Sequence, residues 1–384
     1  METKDILFAL LRSVVCGEAL QPDFAAACTQ ETIAAVIKLA DKHDLAHLVV
    51  HAMEKINIPQ CDVPVKQKKT MAIYRYAQLD YELERIRRTL EKAQIPFIPL
   101  KGSVLRQYYP EPWMRTSGDI DILVHEEDLS RATDYLVSEL GYTNKGRAYH
   151  DVVFHAPSGV TLELHFILAE ESSFPGALKI TSAVWDYTKP VPDCLYEKQL
   201  TWEMFYFHHI FHMASHFCAG GCGIRFILDH FIIKTKLHID STKCRKMLQE
   251  SGLAVFAESM DKLSEVWFSG NEHTAHTKRI EDFILSGGVF GSTENHAAVK
   301  QAKQGGKLQS VLSKIILPYD QLKGLYPILT KKKWLTPVFQ IIRWFRLLDP
   351  ARWNRSVNFL KSSMNTHEER AKAMSTLMQE LEIQ

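Results

Sequence analysis

The chain has 384 residues, 46% hydrophobic and 24% charged, with a formal net charge of +1. This length suits two or three domains rather than one small core, and the even charge balance excludes a strong whole-chain nucleic-acid signature. No stretch approaches the roughly 18 uncharged apolar residues of a membrane span. The first residues carry Glu2, Asp5 and Arg12 where a secretory signal needs a basic start and an unbroken apolar run. A soluble cytoplasmic protein with no membrane partner is therefore expected. Seven cysteines, odd in number and scattered, suit reduced thiols rather than a disulfide framework. Only Cys218 and Cys222 lie close together. No second cysteine pair follows at zinc-finger spacing, so structural zinc is not expected.

Residues 5–56 show apolar side chains at helical spacing, in ILFALLRSVV and in ETIAAVIKLADKHDLAHLVVHAM. Two prolines break the pattern at INIPQCDVP. KQKKTMAIYRYAQLDYELERIRRTLEKA then reads as a long amphipathic helix, with Met71, Tyr74, Leu79, Leu83 and Ile86 on its apolar stripe. IPFIPL, with two prolines, reads as a short edge strand. LKGSVLRQYY is a turn into a helix that ends near Pro110, and GDIDILV alternates as a strand. EEDLSRATDYLVSELGY is a helix stopped at Gly141. DVVFHA and GVTLELHFIL form a hairpin across Pro157, Ser158 and Gly159. After about residue 197 the strands stop, and QLTWEMFYFHHIFHMASHF, GIRFILDHFIIKTKLH, CRKMLQESGLAVFAESMDKLSEVWF and RIEDFILSG fit helices. SGGVFGSTENHAAVKQAKQGGK reads as an exposed loop, and the tail from Leu308 is again helical, with a basic knot at Lys331, Lys332 and Lys333.

The chemistry concentrates on two of these strands. On SGDIDILV, Asp119 and Asp121 share one face with Cα atoms roughly 6–7 Å apart, while Ile120, Ile122 and Val124 face the core. Two acids side by side on an apolar strand repel each other unless a cation offsets them. On VTLELHF, Leu162, Leu164 and Phe166 make the apolar face, and Thr161, Glu163 and His165 the other. If the strands are neighbours, the three acids converge. Hard oxygen ligands of this kind suit Mg²⁺ or Mn²⁺ rather than zinc. Phosphoryl or nucleotidyl transfer uses such a pair of ions. Lys101 and the Gly102–Ser103 turn offer an ammonium and backbone N–H groups to a triphosphate. Arg115 is a second cationic candidate.

The ordered stretch LKGSVLRQYYP, MRTSGDIDILV and GVTLELH resembles the uncharacterised nucleotidyltransferase family of the DNA polymerase β-like superfamily. The likeness spans roughly residues 30–345, with its specific motifs within 95–170. It implies that Asp119 and Asp121 are the superfamily's metal-binding DxD, that Glu163 is the third carboxylate, and that Gly102 and Ser103 are the Gly-Ser pair opening the helix before the DxD. The interval from Gly102 to Asp119 is longer than in minimal members. The implied fold is α+β: a small mixed β-sheet nucleotidyltransferase core flanked by helices, with a helical C-terminal domain. The expected division is 1–65 as an N-terminal helical region, 66–170 as the α/β core and 171–384 as the helical C-terminal domain.

His208, His212 and His216 recur on one helix face, with His209 beside them. They are candidates either for a nucleotide or acceptor pocket or for hydrogen-bonded core positions, and His212 is the pocket candidate among them. His165, two residues after Glu163, lies by construction near the acids and touches nucleotide or orients a carboxylate. Arg225 and Asp229 have the i, i+4 spacing of a surface ion pair, and the family resemblance turns Arg225 towards a nucleotide-contacting role. Gly287, Gly288 and Gly291 lack the preceding strand and following Lys-Ser/Thr of a phosphate loop, so they read as a mobile loop. The leading expectation is an enzyme that uses an NTP and an acceptor hydroxyl on a small molecule, a protein or an RNA end. A non-catalytic nucleotide-binding or regulatory module on the same fold, and a helical interaction protein whose acids bind a structural cation, are the alternatives.

Overall fold

The computed structural model describes residues 1–21, 24–56, 63–168, 174–289, 291–304, 326–346 and 368–383, with 317, 319 and 322. Parts of the tail read as helical from Leu308 lie outside the described residues. Two compact units emerge. One comprises Met1–Met213 and Ile224–Thr277, the other Ala214–Gly223 and Lys278–Gln384.

The first unit is built on a five-stranded mixed sheet in the order β1-β2-β5-β4-β3. Its strands are β1 (Phe97–Pro99), β2 (Asp119–Val124), β3 (Thr143–Arg147), β4 (Asp151–His155) and β5 (Thr161–His165). Only the β2–β5 pair is parallel; the other three pairs are antiparallel. β1 takes the edge position of the sheet, where Pro99 costs no interior ladder bond. β4 and β5 form the hairpin read from the sequence. Alternation decides which face is wet. Ile120, Ile122, Val124, Leu162 and Leu164 are fully buried against Leu79, Leu83, Ile86 and Leu90 of the helix Val63–Lys92, and against Leu129, Ala132 and Leu136 of the helix Leu129–Ser138. Each such side chain contributes about 1.5–3 kcal/mol by leaving water. The opposite face is left to the acids.

Several sequence expectations need correction. Met71 and Tyr74 are 61% and 57% exposed. The stripe 79-83-86-90, carried back along the helix, reaches Ala72 instead, which is buried. β3 was not expected: TNKGR is polar and wholly exposed, so neither alternation nor β-propensity announces it. A second, two-stranded sheet, β6 (Thr188–Pro190) with β7 (Lys198–Leu200), lies within the 171–384 region expected to be helical. The stretch read as one helix over 244–268 is two, Ser241–Ser251 and Ala254–Ser269, broken where Gly252 adopts φ 74°.

In the second unit, the supposed exposed loop contains the helix Thr293–Gln304. Its glycines serve close packing. Gly291 has φ 80° and abuts the backbone of Gly220, where no Cβ fits, and the Gly223 N–H donates to the Val289 carbonyl at 2.9 Å. Among the described residues no helix is long and apolar enough to cross a membrane, and the six described cysteines are free thiols.

Candidate active site

β1 delivers the chain to a strained turn. The Leu100 N–H donates to the Asp121 carbonyl at 3.0 Å, extending the β1–β2 pairing by one residue. Lys101 then adopts φ 45° and ψ −117°, a conformation that side chains other than glycine rarely hold. The helical turn Gly102–Leu105 follows at once. Gly102 needs no positive φ; it is small because of what lies beside it. A Cβ there would collide with the Ser117 hydroxyl and stand 2.8 Å from Arg115 Nη1.

The parallel register sets Asp121 directly beside Glu163, and Leu123 beside His165. Lys101 Nζ lies 2.9 Å from Asp121 Oδ1, and His165 Nε2 lies 2.9 Å from the same oxygen and 3.6 Å from Glu163 Oε2. Burial alone would raise Asp121, but Lys101 and the His165 hydrogen bond outweigh it and hold the carboxyl far below its ordinary value. Burial disfavours the His165 cation, but hydrogen bonds to Asp121 and Glu163 prevail and push the imidazole up to about 9. Among the described residues no hydrogen bond or ion pair holds Asp119, and Lys101 and Arg115 act on it only through their charge. Burial and the neighbouring charges of Asp121 and Glu163 push it up to about 6. At Asp119 the neighbouring acids and burial outweigh the nearby cations, an electrostatic condition that a divalent cation relieves.

Asp121, Glu163 and His165 offer ligand atoms that all lie within 4.8 Å of one another. Asp119 stands two residues along the same strand face, outside that trio. His165 thus lies beside the acids, as its place on the same strand face as Glu163 implied.

The phosphate turn shows a second feature. Ser103 Oγ and Arg106 Nη2 are buried and have no hydrogen-bond partner among the described residues. Arg106 donates through Nε to the Gly102 carbonyl at 2.9 Å and lies 5.8 Å from the Tyr76 ring centre. Burial, and then the nearby Arg115, push its guanidinium down to about 10. A buried cation with unmet donors beside a Gly-Ser turn suits an anionic ligand. Sequence reasoning missed Arg106, although its spacing, four residues after Gly102, sets it on the same helical face.

The other candidates make contacts within the protein. Arg115 pairs with Asp229 through Nε at 3.2 Å and Nη2 at 2.8 Å, while Nη1 donates to the Thr116 carbonyl and to Ser117 Oγ. Tyr109 adds a hydrogen bond to Asp229 at 2.6 Å. Arg225 does not pair with Asp229 as its i, i+4 spacing implied. It donates to Asp44 Oδ2 at 2.5 Å, and Thr116 Oγ1 donates to the same oxygen at 2.7 Å. Together these contacts tie the segment before β2 to the helices around it. His212 packs near Phe226 and His208, with ring centres 5.6 Å and 6.1 Å away. His208 feels Lys101, Asp121 and His165; burial first, then Lys101, push it down to about 3. Cys218 Sγ lies 3.3 Å from the Ile383 carbonyl, and burial pushes the Cys222 thiol up to about 12. Neither belongs to a metal-competent group among the described residues.

No curated protein matches the chain. Among solved structures, it is similar to the antibiotic-resistance factor ANT(2'')-Ia in solution, at 12% identity and a TM-score of 0.27, over 51% of this chain and 94% of that one. The sequence pattern described as "Uncharacterised nucleotidyltransferase" matches residues 29–269, more than half of the chain and all of the site described above. The chain belongs to the uncharacterised nucleotidyltransferase family.

Proposed function

We propose that this protein is a metal-dependent enzyme that moves a nucleotidyl group from an NTP to an acceptor hydroxyl. The observation that carries the reading is the register of β2 and β5, which brings Asp121 and Glu163 side by side next to the Lys101 turn. The donor set fits Mg²⁺ or Mn²⁺: carboxylate oxygens dominate it, and Asp119 is pushed up to about 6 by burial and by its like-charged neighbours. Asp119, Asp121 and Glu163 would hold the ions, whose chemistry is to acidify the acceptor hydroxyl and offset charge on the triphosphate.

Lys101, Gly102 and Ser103 bind the phosphates, and Arg106 contributes positive charge from beneath the turn. Lys101 exchanges its bond to Asp121 for the phosphates as the nucleotide arrives. The acceptor oxygen forms a bond to the α-phosphorus, the bond from that phosphorus to the β-bridging oxygen breaks, and pyrophosphate leaves with the electron pair. Glu163, whose side chain is 30% exposed, takes the hydroxyl proton. His165 orients Asp121. Arg115 and Arg225 hold the frame instead of contacting nucleotide, because their guanidinium groups are already engaged by Asp229 and Asp44. His212 stands behind His208 as a lining residue. The acceptor is a small molecule, a protein side chain or an RNA end, and the reaction belongs in the cytoplasm, where free thiols persist.

The test uses NTPs labelled at the α- or the γ-phosphate, with Mg²⁺ or Mn²⁺ and a cell extract as acceptor source. Nucleotidyl transfer leaves α-label on the acceptor and γ-label in pyrophosphate. Metal-dependent NTP binding with no transfer of α-label would instead favour a nucleotide-binding module.

A further inference from the structure

The acids beside Lys101 do not exhaust the metal-ligating side chains of this sheet. His150, Asp151 and His165 also offer ligand atoms that all lie within 4.8 Å of one another. His150 Nε2 stands 3.3 Å from Asp151 Oδ2. Two ligands of a tetrahedral ion with bonds of about 2.0–2.1 Å stand about 3.3–3.4 Å apart, a span that this pair offers without rearrangement. The His150 and His165 rings are stacked, 5.4 Å between centres and 29° between planes.

The backbone beneath the three is tied into the sheet. Asp151 opens β4 and is the register partner of His165 on β5. The carbonyl of His150, one residue earlier, accepts from the Phe166 N–H at 3.0 Å and the Ile167 N–H at 3.3 Å. Ligands on paired strand ends keep their spacing better than ligands on a free loop. Exposure gives the group a mouth: the Asp151 and His165 side chains are 6% exposed, and that of His150 is 20% exposed.

We propose that His150, Asp151 and His165 form a second cation site, which takes a borderline transition-metal ion of the Zn²⁺ or Co²⁺ type rather than Mg²⁺. Two imidazoles and one carboxylate are the donor set that such ions prefer, whereas Mg²⁺ favours all-oxygen surroundings. His165 is the wall shared with the carboxylate centre. An ion bound here fixes the imidazole that hydrogen-bonds Asp121, and so ties occupancy of this site to the orientation of that acid. The site does not require that the protein transfer nucleotides, and it is tested without turnover.

The experiment is calorimetric titration of the chelator-treated full-length chain with Zn²⁺, in the wild type, Glu163→Gln, and Glu163→Gln combined with either His150→Gln or Asp151→Asn. Glu163→Gln weakens the neighbouring carboxylate centre, and the second substitutions then report on the proposed site. The expected result is that Glu163→Gln still binds Zn²⁺, and that adding either second substitution weakens binding by at least about 10-fold, the lower end of what losing even an outer-shell partner costs. Co²⁺ added to Glu163→Gln should show visible absorption that changes with His150→Gln, a signature of lost nitrogen ligation. The proposal is overturned if Glu163→Gln binds no Zn²⁺, or if neither second substitution changes the affinity.

Discussion

Lys101 permits a clean separation of backbone strain from side-chain chemistry. Its φ of 45° and ψ of −117° carry a cost of about 1–3 kcal/mol for any residue with a Cβ. Glycine escapes that cost but loses more freedom on folding, by about 0.5–1 kcal/mol relative to alanine. Lys101→Gly and Lys101→Ala both abolish the 2.9 Å bond to Asp121, so that loss cancels between them. Lys101→Gly should therefore be the more stable of the two by about 0.5–2 kcal/mol, against the usual order. Urea denaturation of both variants measures the difference directly. Both should also bind NTP more weakly than the wild type. Equal stability, or an advantage for Lys101→Ala, would refute the claim that this turn is strained and held for the site's sake.

Other outcomes follow from the same geometry. Asp229→Ala should lower stability by about 3–5 kcal/mol in urea titrations, because it strands the buried Arg115 guanidinium; a wild-type midpoint would show that the pair is dispensable. Gly102→Ala should cost about 1–3 kcal/mol, read as a lower melting temperature, since its Cβ meets Arg115 and Ser117. His208 and His209 are both pushed down to about 3, chiefly by burial. The unfolded chain binds their protons near pH 6.5 and the folded chain refuses them, so stability is complete above pH 6.5 and falls on acidification towards pH 3. At pH 5 the loss reaches about 2 kcal/mol per histidine, and His208→Gln/His209→Gln should remove that part of the pH dependence. An unchanged pH profile in the double variant would contradict it.

Much of the core was legible because two signals coincided there. In DIDILV and TLELH, strand alternation both buries Ile120, Ile122, Leu162 and Leu164 and turns Asp119, Asp121 and Glu163 to the other face. Adjacency of the two strands was an assumption from sequence; the register of Asp121 with Glu163 is a tertiary fact. Arg225 illustrates what spacing hides. Its i, i+4 neighbour Asp229 is claimed by Arg115, 114 residues away in sequence, and Arg225 turns to Asp44 instead. Long-range pairing of this kind leaves no local trace. β3 was invisible for a different reason, since an exposed edge strand needs no apolar residues. The glycines around Gly291 looked like a loose loop because close backbone packing and flexibility demand the same residue.

The measurement closest to the central claim is α-label transfer by the wild type beside Asp121→Asn, with Mg²⁺ present and a cell extract supplying acceptors. Asp121 lies at the heart of the charge cluster, bonded to Lys101 and His165, and the near-isosteric asparagine preserves its shape while removing its charge. Labelled acceptor is expected with the wild type and none with Asp121→Asn, which should remain folded. Transfer that persists undiminished in Asp121→Asn would contradict it.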